Sequence, residues 1–185
     1  MDLFIGENHL VAVHQQPVKE IEEALSRWER THGTLNHGVG SLVHALLDTL
    51  VDHYFGVADT VAERVAGLEE QVLGGTDQGV VREVFALKKQ LLAMRRILGP
   101  ERDALNALMR QDMSLLDRKT QLYLRDLYDH LVRIIDTVDL HGDLLTSSLD
   151  VHLSAVSNRL NQIMKTLTSW TIILMSLPSS PASTG

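Results

Sequence analysis

A chain of 185 residues with 44% hydrophobic and 22% charged side chains is long enough for one ordered domain with its own core, which argues against intrinsic disorder. Its formal charge of -7 lacks the basic footprint that neutralises phosphates and so argues against nucleic acid as a partner, while suiting metal cations better. The absence of cysteine removes disulfides, thiolate metal sites and cysteine nucleophiles. With only 4% aromatic residues and abundant leucine, the composition favours helix over short-stranded β architecture. Met1 is followed by an acidic residue and a short apolar patch, without the basic n-region or small-residue cleavage site of a secretory signal.

Residues Leu3 to His14 read as two short extended runs around Gly6-Glu7-Asn8, with Leu10, Ala12 and His14 alternating against Val11 and Val13, the pattern of a hairpin. A lone hairpin is marginally stable, so the expectation is that sequence completing a larger sheet is missing ahead of it. From Pro17, Ile21, Ala24, Leu25 and Trp28 recur at helical spacing until the Gly33–Gly40 stretch. Between Leu42 and Leu73 the apolar positions step by threes and fours, and Gly74-Gly75 supplies a C-terminal stop. This second helix carries Asp48, Asp52, Asp59, Glu63 and Glu70 along one stripe; the next, through Val84, Leu87, Leu91, Met94 and Leu98, carries Arg82, Lys89 and Arg96. An antiparallel hairpin with its acidic helix paired to its basic one is the natural expectation. Gly99-Pro100 is expected to kink or interrupt the basic arm, because proline lacks the amide donor and clashes with the preceding turn.

From about Thr120 to Leu177 there is no proline and a single glycine, Gly142. Read as one helix this segment is roughly 85 Å long at about 1.5 Å per residue. Leu145, Leu149, Leu153, Val156, Leu160, Ile163 and Leu167 alternate steps of four and three, the spacing of a helix that packs in a bundle or coiled coil. Past Lys165 the charges vanish through Leu177, but Pro178 and a small polar tail intervene well short of the roughly 20 apolar residues that a membrane span needs.

Three segments, SLVHALLDTLVDHYF from Ser41 to Phe55, YLRDLYDH from Tyr123 to His130 and LDVHLSAVSNRLNQIMKTL from Leu149 to Leu167, together resemble the CorA family of magnesium and cobalt transporters, the two-transmembrane GxN family. The resemblance runs from Leu3 to Met175. It implies a mainly α fold: residues 1–40 as the remnant of an N-terminal α/β domain, with a β-hairpin and a short helix, and residues 41–112 as an antiparallel helical hairpin. Residues 113–177 become a very long stalk helix running into a partial first transmembrane helix, and 178–185 an aberrant tail. It also implies a homopentamer at the inner (plasma) membrane, this portion on the cytoplasmic side, that conducts Mg2+ and Co2+ passively and is not an enzyme. Neither nucleic acid nor a small-molecule substrate is expected as a partner.

The sequence departs from the family pattern at both ends: the start of the α/β domain, the Gly-Met-Asn signature and the second membrane helix are absent. The fragment is therefore expected not to transport alone. Codons allowed for Leu177–Gly185 permit a shifted frame reading Pro-Phe-Ile-Ala-Gly-Ile-Tyr-Gly, which resembles the family sequence before Met-Asn, so a frameshift is expected there.

Carried over by position, the resemblance makes Asp150, Ser157, Asn161, Met164, Leu167 and Met175 pore-lining. The residues support part of this directly, since steps of seven, four and three put Asp150, Ser157, Asn161 and Met164 on one helix face. In a ring of copies such a face offers carboxylates, hydroxyls and amides to a hydrated cation, followed by an apolar constriction. The competing reading is the solvated side of an amphipathic helix. Asp126 matches the family position of a regulatory magnesium between subunits; the alternative is an exposed carboxylate paired with Arg125 or Arg133. His130 lies near that position and is not counted as a ligand. Glu29-x-x-His32 has di-iron spacing but occurs once, and no P-loop, nucleophile elbow or dinucleotide fingerprint is present. A soluble helical scaffold that oligomerises through the long helix and binds no ion remains the rival function.

Overall fold

The computed structural model describes residues 1–30, 38–74, 78–110 and 116–176. Two strands, β1 (Asp2–Ile5) and β2 (Leu10–Val13), precede four helices, α1 (Lys19–Arg30), α2 (Val39–Gly74), α3 (Gln78–Arg110) and α4 (Arg118–Ser176). The fold is mainly helical with a two-stranded antiparallel sheet, as the sequence indicates.

The hairpin pairs Leu3 with Ala12 and Phe4 with Val11, and the Gly6 amide donates to the His9 carbonyl at 2.9 Å to close the turn. Alternation puts Leu3, Ile5, Leu10 and Ala12 on the half-buried face, leaving Phe4, Val11 and Val13 exposed. A Cβ at Gly6 would meet the exposed His9 ring at 2.3 Å, so a larger residue there would displace that side chain. In α1, Glu20 and Glu22 in the first turn and Arg27 in the last complement the helix dipole. Ala24 is buried, whereas Leu25, expected on the apolar side, is exposed.

One apolar core joins the three long helices. Val61, Val65, Leu68 and Val72 of α2, Val84, Leu87, Leu91 and Leu98 of α3, and Leu124, Leu127, Leu131, Ile134, Val138 and Leu145 of α4 form a single cluster. Both α2 and α3 pack more extensively on α4 than on each other. Asp117 caps α4, its Oδ1 accepting the Thr120 amide at 2.8 Å, which satisfies one of the otherwise orphaned first-turn donors.

One expectation is narrowed and one is corrected. Of a kink or an interruption at Gly99-Pro100, the interruption does not occur: α3 continues to Arg110 with Pro100 inside it. A mid-helix proline costs about 3 kcal/mol, and the seam on both sides of it offsets that, since Leu91, Leu98 and Leu105, seven residues apart, are all buried. The acidic stripe of α2 also does not pair with the basic stripe of α3. Arg27 of α1 takes Asp52 at 3.0 Å and Asp48 at 3.9 Å, and among the described residues Asp59, Glu63, Glu70, Arg82, Lys89 and Arg96 form no ion pair. Residues 33–37 of the expected interruption, His32, Gly75, Leu177 and the tail 178–185 lie outside the described residues.

Candidate functional site

Helix α4 is 59 residues long and begins two residues earlier than expected, running to Ser176, the last described residue. Its seam is continuous. The row that fills the core from Leu124 to Leu145 carries on, at the same steps of four and three, through half-buried Leu149 and into Leu153, Leu160, Ile163 and Leu167. Beyond His152, the last buried residue of α4 among the described side chains, Val156 is half-buried and these leucines and the isoleucine are exposed.

Asp150, Ser157, Asn161, Met164, Leu167 and Met175 are all exposed, Met164 by 61%, Leu167 by 63% and Met175 by 85%. At about 100° per residue, Asp150, Ser157, Asn161 and Met164 fall within roughly 60° of one another around the axis. Met175 rejoins that row, while Leu167 lies about 60–120° away from it, within the apolar seam itself. The chain therefore presents two adjoining stripes on its free rod, one apolar and one that changes from carboxylate to hydroxyl, amide and thioether along its length. Thr166, Thr168 and Thr171 turn their hydroxyls back to carbonyls four residues earlier, at 2.8–3.0 Å, so these three hydroxyls are satisfied within the helix. No helix among the described residues is long and apolar enough to cross a membrane.

Asp126 lies at the α2–α4 flank with its side chain 74% exposed. Its nearest ionic partner is His130, one helical turn on, with Nε2 at 4.0 Å from Oδ2, rather than Arg125 or Arg133. His130 in turn stands edge-on to Phe55 with ring centroids 5.8 Å apart, and His44 lies 5.1 Å from the Tyr123 ring. Burial pushes the His44 imidazole below its ordinary pKa, against a smaller opposing pull from Asp48 and Asp126. The structure thus places Asp126 beside aromatic and imidazole groups, and no group of three or more His, Asp or Glu able to hold a metal occurs among the described residues.

Other polar groups were not foreseen. Half-buried Tyr54 donates its hydroxyl to Glu101 at 2.8 Å across α2 and α3, at the wall of a cavity of about 370 Å3 between β1 and the helices. His53 meets Glu23 at 3.0 Å and Trp28 Nε1 donates to Ser41 at 3.0 Å, both tying α1 to α2. None has a local sequence signal, because each joins different helices.

The chain matches, over residues 1–180, the model of the family described as CorA-like Mg2+ transporter protein. It is 38% identical over 136 residues to the cobalt/magnesium transport protein CorA of Thermotoga maritima, covering 74% of this chain and 39% of that one. It is 27% identical over 175 residues to the cobalt/magnesium transport protein CorA of Methanocaldococcus jannaschii, covering 94% of this chain and 55% of that one. The complete structure of the CorA magnesium transporter from the same archaeon has the same fold, with a TM-score of 0.80 at 24% identity over 96% of this chain and 60% of the other. The chain thus spans between 39% and 55% of the length of these two relatives. On the match over nearly its whole length, the chain belongs to the CorA-like Mg2+ transporter protein family.

Proposed function

We propose that this chain is the cytoplasmic portion of a channel subunit for divalent metal cations, with magnesium and cobalt as the ions conducted. Copies stand around a shared axis, five in a ring, with α4 as the wall of the conduit. The observation that carries the reading is the exposed face Asp150–Ser157–Asn161–Met164 on the free end of a 59-residue rod. An acidic residue at the wide end attracts a dication; hydroxyl and amide oxygens meet its hydration shell, which Mg2+ gives up reluctantly. Met164, Leu167 and Met175 then form an apolar constriction that conducts only when wetted. The exposed apolar stripe beside this face is buried by neighbouring stalks. The parent protein lies in the inner (plasma) membrane with this portion on its cytoplasmic side.

Asp126 serves as a regulatory magnesium ligand between subunits. Its exposure leaves a face for a second carboxylate from a neighbouring subunit. The reading involves conduction and no bond-making chemistry, so no catalytic residue is assigned.

Sedimentation equilibrium with and without millimolar magnesium tests the assembly. A pentameric mass that depends on magnesium supports the channel reading; a dimer indifferent to metal supports a coiled-coil scaffold and overturns it.

A further inference from the structure

Asp59, Glu63 and Glu70 of α2 and Arg82, Lys89 and Arg96 of α3, which form no ion pair among the described residues, have a common geometry. Asp59 and Glu63 each lie two positions from buried Val61, and Glu70 lies two positions from both Leu68 and Val72. On α3, Arg82, Lys89 and Arg96 each lie two positions from buried Val84, Leu87 and Leu98 respectively. Two positions are about 200° of helix, so both stripes point away from the shared core and cannot reach one another within the chain. Each helix carries a strong bias: six carboxylates to one arginine on α2, and seven basic to three acidic residues on α3. Asp59 and Glu63 stand one helical turn apart, an arrangement that is unfavourable without a cation nearby. Beside the basic stripe, Phe85 and Leu92, seven residues apart, are 56% and 60% exposed. Lys88 and Arg95 hold the other side of that apolar pair against Thr146 and Asp139 of α4.

Resting on the ring of copies proposed above, we infer that the outward face of α3 docks on the outward acidic stripe of α2 in the adjacent copy, with Phe85 and Leu92 buried between them. The occupant is a second copy of this chain, and the argument is charge complementarity: Arg82, Lys89 and Arg96 repeat every seven residues, about 10.5 Å, and Glu63 and Glu70 repeat at the same interval. The two surfaces lie on different helices of each copy, so the contact is head-to-tail, the type that generates closed rings. It joins the helical hairpins to the assembly independently of the stalks.

Sedimentation velocity of the whole chain tests this, comparing the unaltered chain with Arg82→Glu/Lys89→Glu/Arg96→Glu, with Asp59→Lys/Glu63→Lys/Glu70→Lys, and with all six combined. Each triple reversal is expected to weaken self-association at least about tenfold, and the six-fold swap to restore it. Circular dichroism confirms that each variant is folded, and the restored association of the six-fold swap does so functionally. Reversal without effect, or a six-fold swap no better than the triples, overturns the contact. A stripe that instead binds phosphatidylserine vesicles, with self-association unchanged by reversal, also overturns it. Disulfide cross-linking through a single cysteine at Ser157, followed in the same samples, separates the two claims. Cross-linking retained while charge reversal has no effect sinks the α2–α3 contact alone, and its absence from the unaltered background sinks the channel reading.

Discussion

Tyr54 donates its hydroxyl to Glu101 at 2.8 Å, joining α2 to α3 one residue after the proline that was expected to kink or interrupt α3. Burial raises the Glu101 carboxyl above its ordinary pKa of 4.5, and the Tyr54 hydrogen bond pulls the other way more weakly. A raised carboxyl pKa in the folded state means that folding favours the proton. This contribution is present below the unfolded value near 4.5 and is lost as pH rises through the higher folded value.

Glu101→Gln keeps an acceptor for Tyr54 and removes the buried charge. It is expected to stabilise the chain at pH 7 to 8 relative to the unaltered protein, with no gain at pH 4, as read by urea unfolding across that range. Tyr54→Phe is expected to cost about 1–2 kcal/mol at neutral pH, because the half-buried carboxylate then loses its donor. Equal costs at pH 4 and pH 8 would show that the carboxyl is not the group responsible.

Helix α1 is held on α2 in part by His53, which reaches Glu23 at 3.0 Å and Glu20 at 3.9 Å. The Glu23 hydrogen bond raises the imidazole above its ordinary 6.5, outweighing the small cost of burial. For a base the sign is that stability is full below about 6.5 and declines as pH rises through the folded value. Hydrogen exchange of the α1 amides is expected to accelerate, relative to those of α3, between pH 6 and pH 8 beyond the intrinsic base dependence. His53→Gln is expected to remove that excess while leaving α3 unchanged.

Pro100 withholds a helical donor in the middle of α3 while the leucines around it stay in the core. Pro100→Ala is expected to raise stability by about 1–3 kcal/mol, and Leu98→Ala, at a position only 1% exposed, to lower it by about 2–5 kcal/mol. Chemical denaturation measures both. A destabilising Pro100→Ala would mean that the bend proline favours is needed for the α3–α4 fit.

The long helix was legible because its steps of four and three persist from Leu124 to Leu167, a regularity that needs no tertiary information. The hairpin was legible for the same reason at period two. At Pro100 the sequence left a kink and an interruption both open, because the local penalty is visible there, whereas the compensating burial of Leu91 and Leu105 that keeps the helix continuous is a property of the packed bundle. The partner of the acidic stripe was misread because matching charges on neighbouring helices imply a pair only if they face each other. Arg27 reaches Asp52 from another helix, 25 residues away, and nothing local marks that contact. In the candidate site, the shared face of Asp150 to Met164 follows from spacing, but that His152 is the last buried residue of α4 among the described side chains is a property of the packed bundle.

The central claim is that this face of α4 looks onto an axis shared by copies of the chain. A chain without cysteine permits a direct measurement: oxidation of single-cysteine variants at Ser157 and at Ala155, two positions and about 200° around the helix. The account predicts that Ser157→Cys yields disulfide-linked chains, more of them in magnesium, and that Ala155→Cys yields far fewer. Equal cross-linking at both positions, or more at Ala155, would contradict it.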